Sequence, residues 1–428
     1  MRISAKLIVP LTVIIAVGLL FLAWLLLRQE QRLLPSASFG LTTLSPNADG
    51  QADVSRIQYH LTRAATVSIY LLDASGNRYI FRGANERAAG EYELFFGGVV
   101  LGYRLPTEDI QGEVLSRVMQ DGSYTWVVEA VAADGSQDRQ TGTLLIQDAD
   151  VQLPDLRGFS ISPTAFTPNR DGVDDRTFIN LALTKDAKLT VTLIEAGSGL
   201  QRVIPEKPGK AAPDSVGLHT FEYEGDVDLD VEPPPDGTHQ VVALAQDRVG
   251  QQVRVQGELT IANGGVPRAE IVNATVTYNT STVLQGGVLE FELVVENYGV
   301  APLRTTDPAP GYLYHDTETA NTFGFYEQSG AWRVGIDCDV CIRDYPWRWA
   351  LGDRSDLTKI GDFYYLMPGK RAVITGKIQL DTIPDRNPLY FWAGLIHEDV
   401  EVSSVNNRVD PQLIKIVPFN EQNEYEQP

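Results

Sequence analysis

The chain has 428 residues, 43 % of them apolar, with 56 Asp and Glu against 35 Lys and Arg and a formal net charge of −21. That length exceeds what one hydrophobic core organises and implies roughly three domains; the apolar fraction excludes a chain disordered throughout, and the acidic balance argues against a nucleic-acid partner, whose phosphates select basic faces. Two cysteines exclude a disulfide-dense scaffold, an iron–sulfur site and a four-cysteine zinc site, and 37 Gly with 24 Pro point to turns rather than long helices.

Leu7 to Leu27 contains no charged residue. Twenty-one helical residues reach about 31 Å, close to the hydrocarbon thickness of a bilayer. Pro10 stands where a missing amide costs little, and Trp24 stands at an interfacial depth. The segment is therefore expected to be a single transmembrane helix, with residues 1–6 inside, 28–39 as a spacer and the bulk of the chain extracytoplasmic. Removing Arg2, Lys6 and Arg28 from the count leaves −24 from residue 29 onward. A cleaved signal peptide is the alternative, although its apolar core usually spans about 7–15 residues.

Two distant stretches match at a constant offset of 122. Ser45-Pro46-Asn47-Ala48-Asp49-Gly50-Gln51-Ala52-Asp53 corresponds to Thr167-Pro168-Asn169-Arg170-Asp171-Gly172-Val173-Asp174-Asp175. Leu61 and Thr62 then match Leu183 and Thr184. Alternating segments follow at Val67–Leu71 and Leu189–Leu193, each ending in a Gly-containing turn. Later, Asp121-Gly122-Ser123-Tyr124 and Asp236-Gly237-Thr238-His239 each lead into an apolar segment. Period-two alternation closed by Gly and Asp predicts strands and hairpins, and the recurrence predicts one β-sandwich module of about 110 residues, used twice.

Asn47, Asp49 and Asp53, and likewise Asn169, Asp171 and Asp175, stand at relative positions 1, 3 and 7, a spacing that can wrap hard oxygen ligands around calcium. Neither copy has a Glu at position 12, so neither completes an EF-hand loop. The same residues also suit an Asx-turn loop, in which Asn and Asp side chains bind nearby backbone amides. Both readings stand at the level of sequence. "SPNADGQAD…YHLTRAATVSIYLLDASGN" and "FTPNRDGVDDRTFINLALTKDAKLTVTLIEAGSG" resemble the immunoglobulin-like repeat of the flagellar-hook-capping protein family. The resemblance implies sandwich modules over 40–150 and 155–262 that serve as spacers or adhesive units, with long insertions at Phe81–Val118 and Arg202–Pro235. It implies no flagellar role, because a fold does not carry a function with it.

After the linker Ala262–Pro267, the strings "LEFELVVENYGVAP", "PGKRAVITGKI" and "YFWAGLIHEDVEVSSVNN" resemble the CARDB type of bacterial surface domain. This implies a third immunoglobulin-like sandwich over 268–416, followed by a loose tail at 417–428. Residues 303–366 depart from the plain pattern as an aromatic-rich insertion containing Trp332, Trp347 and Trp349. Aromatics in a surface loop suit protein or glycan contact; the plainer reading is a second small core. Cys338-Asp339-Val340-Cys341 is expected to be a loop-stapling disulfide.

The five histidines, His60, His219, His239, His315 and His397, form no HExxH pattern, and the chain has no G-x-S-x-G elbow and no phosphate-binding glycine loop. Glu222–Asp236 carries seven acidic residues and no basic one, ending in Pro233-Pro234-Pro235, and reads as a solvated acidic loop. The expected fold is all-β: one transmembrane helix and three tandem sandwiches. The expected function is non-enzymatic: a membrane-anchored protein presenting its distal domain to a cell-envelope protein or glycan, with calcium as the candidate ion. A structural subunit of an envelope or appendage, and a hydrolase with its site in the third domain, are the alternatives.

Overall fold

The computed structural model describes residues 32–227 and 231–419. Leu7–Leu27, Asp228–Asp230 and the end of the tail lie outside them. Among the described residues no helix is long and apolar enough to cross a membrane, and the regular structure is strand with two single-turn 3-10 helices.

The first domain holds β1 (Ser36–Phe39), β2 (Thr43–Leu44), β3 (Ser55–Leu61), β4 (Ala65–Leu72) and β5 (Arg78–Arg87). Then come β6 (Gly90–Phe96), β7 (Val99–Leu101), β8 (Glu113–Val118), β9 (Gly122–Val131) and β10 (Gln137–Ile146). Alternation decides which face is buried: in β3, Ile57, Tyr59 and Leu61 point inward while Arg56 and Gln58 face water. One sheet runs β1-β3-β6 and the other β2-β10-β9-β4-β5.

The second domain holds β11 (Leu156–Ser162), β12 (Ala165–Phe166), β13 (Thr177–Leu183) and β14 (Lys188–Ile194). β15 (Gln201–Ile204), β16 (Gly217–Tyr223), β17 (Gly237–Gln246) and β18 (Gln252–Ile261) complete it. Its sheets run β11-β13-β16 and β12-β18-β17-β14-β15, the order of the first domain strand for strand once β7 and β8 are set aside. The match extends upstream of the Asn/Asp loops, since Thr62 N donates to Leu33 O and Thr184 N to Asp155 O, each at 3.2 Å. The first sandwich therefore begins near Leu33 rather than at residue 40. Leu33 and Leu34 are buried in its core, and β1 pairs with β3, so the end of the expected spacer belongs to the fold. The expected insertions also contain framework strands: β5 and β6 in the first copy, β15 and β16 in the second.

β7 and β8 have no counterpart in the second domain. They form a hairpin that keeps Val100 in the first sandwich's core and adds to the edge of β18, extending the second domain's sheet across the domain boundary. Ser116 pairs with Gln252, and Val114 with Val253. Under this pairing Val114, Leu153 and Val253 make a small core of their own, with Ile110 packed against it. Gln251 is fully buried here: its Nε2 donates to Gln152 O at 2.7 Å and Asp150 O at 3.0 Å, and its Oε1 accepts Val118 N at 3.2 Å. One side chain thus ties the hairpin, the linker and the β17–β18 turn together.

The third domain opens with β19 (Ala269–Ile271), β20 (Thr277–Tyr278), β21 (Thr282–Leu284), β22 (Val288–Asn297) and β23 (Leu303–Thr305). β24 (Leu313–His315), β25 (Trp332–Cys338), β26 (Trp347–Ala350), β27 (Thr358–Ile360) and β28 (Phe363–Leu366) follow. β29 (Arg371–Gln379), β30 (Leu389–His397), β31 (Glu401–Val402) and β32 (Val409–Val417) close it. A β19-β22-β29-β24 sheet packs on a larger one, β21-β32-β30-β25-β23-β28-β27, around a single core. Residues 303–366 are therefore framework as well as loop, because β25 is an inner strand paired with β30 from Trp332↔His397 to Cys338↔Phe391.

Gln251→Ala leaves Val118 N and the linker carbonyls without their partner. It is expected to lower unfolding free energy by about 2 kcal/mol in urea and to open the Asp148–Pro154 linker to proteolysis; unchanged stability and an uncut linker would contradict the role given to Gln251.

Candidate functional site

The Asn/Asp loops fold alike. Asp53 Oδ1 accepts Asn47 N at 3.1 Å and its Oδ2 accepts Gly50 N at 2.6 Å; Asp175 does the same for Asn169 N at 3.1 Å and Gly172 N at 2.6 Å. Asn47 and Asn169 each accept the amide of the Asp two residues on, at 3.0 Å. Asp49 Oδ1 takes Gln51 N and Asp171 Oδ1 takes Val173 N. These are Asx turns whose oxygens are engaged by backbone amides, and among the described residues no group of three or more His, Cys, Asp or Glu side chains is placed to hold a metal.

The surroundings of the two loops differ. Asp49 is exposed, whereas Asp171 and Asn169 are buried against the third domain. Gly172 lies at φ +78° against Ser329 O, and a Cβ there would collide with that carbonyl. Asp171 accepts the Tyr365 hydroxyl and faces Asp175 and Arg304; burial first, with Asp175 adding to it, raises its carboxyl to about 6 from the ordinary 3.8. Across the same joint His397 Nε2 donates to Arg170 O at 2.8 Å, its ring stacked on Trp332 with centroids 4.4 Å apart. Burial lowers this imidazole from 6.5 to about 4. A cavity of about 350 Å³ remains beside Asp171, lined also by Asp174, Asp362 and Tyr365.

The three tryptophans proposed for partner contact are core residues, so that expectation is corrected. Trp332, Trp347 and Trp349 are 4 %, 3 % and 0 % exposed. Trp349 packs edge-on against Phe291 and Tyr314 and donates Nε1 to Tyr312 O at 3.0 Å; Trp347 stacks on Phe391. The aromatics of 303–366 roof one end of the large sheet because a seven-residue strand buried at every position needs cover on both faces.

The exposed feature is next to them. Cys338 and Cys341 are joined by a disulfide. Cys341 N also donates to Cys338 O at 3.1 Å, closing a tight turn at the end of β25. Asp339 fastens that turn to the strand beside it, accepting Tyr390 N at 3.1 Å and pairing with Arg386 at 3.1 Å. Tyr345, further along the same loop, is buried over the facing pair Gly335 and Gly394, where a Cβ on either strand would strike its ring. Its hydroxyl donates to Asn407 Oδ1 at 2.6 Å. The loop between β25 and β26 is thus held at both ends, and at its crest Ile342 is fully exposed and Val340 42 % exposed.

Below this crest is a cleft of about 540 Å³. It is lined by the buried Trp347, Phe391, Leu380, Leu389 and Ile416, by Ile342 and Arg343 of the crest, and by a polar wall of Asp316, Glu318 and Thr382. The wall is fixed: Asp316 Oδ2 accepts Thr382 N at 2.8 Å, and Glu318 Oε2 accepts His315 N at 2.9 Å. His315 stands behind it, 2.6 Å from Asp381, whose carboxylate raises the imidazole above its ordinary value. Because β25 runs from Trp332 at the second-domain joint to Cys338, the cleft lies about 20 Å from that joint, at the far end of the sandwich. Nothing in the composition of Cys338–Arg343 announced this rim; the only signal was two closely spaced cysteines next to adjacent Val and Ile residues in an otherwise polar loop.

The buried histidines of the second domain are structural. His219 Nε2 donates to Ser215 O at 2.7 Å with Glu206 on its other nitrogen, and His239 Nε2 donates to Pro235 O at 2.8 Å.

No family model and no curated protein matches the chain. Among solved structures it is similar to an Antarctic bacterial protein described as "Ca2+-stabilized adhesin helps an Antarctic bacterium reach out and bind ice", at 12 % identity and TM-score 0.24, over 90 % of this chain and 75 % of that one. It is similar to latent PorU from Porphyromonas gingivalis at 8 % identity and TM-score 0.20, over 90 % and 34 %. It is also similar to the glucan-utilization protein SGBP-B of Bacteroides ovatus at 10 % identity and TM-score 0.15, over 90 % and 70 %. None of these likenesses bears on what this chain binds.

Two expectations follow. Between pH 4 and 6 Asp171 holds its proton more tightly in the folded state than in the unfolded one, so its contribution to stability falls as pH rises. Between pH 4 and 6.5 His397 binds its proton less tightly when folded, so its contribution rises. The two oppose each other in the native joint. Relative to wild type, Asp171→Asn should make Tm climb more steeply from pH 4 to 6.5, and His397→Gln should make it climb less; equal slopes in all three proteins would contradict these environments. Separately, Trp347→Ala should cost about 3–5 kcal/mol in urea unfolding, whereas Ile342→Asp should stay within about 0.5 kcal/mol of wild type.

Proposed function

We propose that the chain is a non-enzymatic, membrane-anchored extracytoplasmic protein whose third domain binds an envelope protein or glycan at its far end. In this reading Leu7–Leu27 is the anchor, the two repeated sandwiches are spacers, and the cleft beneath the Cys338–Cys341 turn is the contact site. The observation that carries it is the crest itself: a fully exposed Ile342 on a turn closed by a disulfide, at the rim of a cleft about 20 Å beyond the last interdomain contact. A loop fixed in advance loses little conformational entropy when it binds, which is the property a contact site requires. The resemblance of the repeats to the hook-capping module, and of the third domain to the CARDB type, supports the spacer-and-presenter arrangement.

Calcium has no necessary part in this reading, because both oxygens of Asp53 and of Asp175 already accept backbone amides of their own loops. The test is retention of the purified full chain on envelope polysaccharide and on envelope protein fractions, with and without a chelator. Ile342→Asp is expected to reduce retention about tenfold, or about 1.4 kcal/mol, at unchanged Tm. Retention unaffected by Ile342→Asp would remove the tip from consideration, and retention abolished by chelation would return an ion to the loops.

A further inference from the structure

We infer that the tip of the third domain is self-complementary and pairs with the same tip of a second copy, the Ile342–Arg343 crest of each seating in the cleft of the other. This inference rests on the reading of the tip as the contact face and names its partner. A two-fold contact requires one patch to carry both a projection and its receptor. Here the projection and the cleft share a rim. Ile342 is fully exposed, and the floor it would meet is aliphatic and aromatic, formed by Leu389, Phe391 and Trp347.

Charge complementarity selects a second copy over other occupants. Arg343 follows Ile342 directly, is exposed and makes no ion pair among the described residues. The polar wall presents Glu318, whose carboxylate pairs with no Lys or Arg among the described residues. An occupant suited to this cleft therefore needs an apolar side chain with a cation next to it on a rigid turn, and the crest of a second copy offers that sequence of groups. A neutral glycan would leave the charges of Arg343 and Glu318 unused. Two-fold pairing uses each pair twice, Arg343 of either copy facing Glu318 of the other, and charge matching of this kind fixes register as well as partner.

The test is sedimentation velocity of the full chain in detergent as a function of concentration. Wild type is expected to shift from monomer to dimer. Ile342→Asp should weaken the dimerisation constant at least about tenfold, and Arg343→Glu should do the same by setting Glu against Glu318. Glu318→Arg should also be monomeric alone, because it sets Arg against Arg343. A mixture of Arg343→Glu with Glu318→Arg, and the double variant by itself, should dimerise again, since each Glu then meets an Arg; far-UV circular dichroism confirms that all variants are folded. Rescue in the mixture is a result that mere loss of folding cannot produce. Wild type that stays monomeric, dimerisation indifferent to Ile342→Asp, or failure of the mixture to recover overturns the self-pairing. If Ile342→Asp nonetheless loses retention on envelope material, the tip reading survives and only the identity of its partner falls; if retention is also unchanged, both fall.

Discussion

The architecture depends on one backbone pairing, the addition of β8 to the edge of β18. An edge strand presents unpaired amides and carbonyls, and a soluble sandwich has to cover, charge or pair them. Here the second sandwich has its edge paired by the first. The consequence is mechanical. A linker such as Asp148–Pro154 would by itself permit any angle between two domains. The hairpin on one side of it and the buried Gln251 amide on the other fix it at several points at once. The second joint uses another device: a loop already rigid from its own Asx turns is pressed into the third domain, with Gly172, Asp171 and Arg170 O as its contact points.

Much of this was legible in the sequence, and what was not has definite physical reasons. The repeat was visible because its strands alternate and its turns use Asp and Gly, both local requirements of backbone geometry. The loops' hydrogen bonds were equally local: the same five or six residues give the same distances in both copies. What sequence could not supply was each loop's neighbour. Asp49 and Asp171 hold identical positions in identical turns, yet one is in water and the other under Tyr365, since burial is decided by a domain more than 100 residues away. The same holds for β7 and β8, which looked like an insertion because the strand they pair with, β18, lies in the next domain.

The largest misreading concerned β25. Trp332-Arg333-Val334-Gly335-Ile336-Asp337-Cys338 alternates, with Trp332, Val334, Ile336 and Cys338 in the main core, but its other face is buried as well and carries Arg333 and Asp337. Arg333 is kept inside by Glu398, whose other oxygen takes Arg348 at 2.7 Å, so three charges form a buried ion triad across β25, β26 and the end of β30. Buried ion pairs seldom add net stability, but they penalise any register in which a partner is missing. The triad thus adds to the register information that alternation already gives β25, and charge on the second face is what makes a strand buried on both faces hard to recognise.

The same triad explains why a row of tryptophans became foundation rather than contact surface. With β25 fixed in register by Glu398 at one end and by the Asp339–Arg386 pair at the other, Trp332 on the strand and Trp347 and Trp349 beside it fill the main core, and the indole N–H groups of Trp347 and Trp349 find backbone carbonyls inside the domain. Large rigid rings beneath a short turn leave it no room to collapse inward, and the disulfide leaves it no length to spread outward. A small aliphatic crest, Val340 to Ile342, is therefore held in water where a longer loop would fold it away. The aromatic richness that suggested a contact surface is used one layer down, and the surface it supports is made of the least conspicuous residues in the segment.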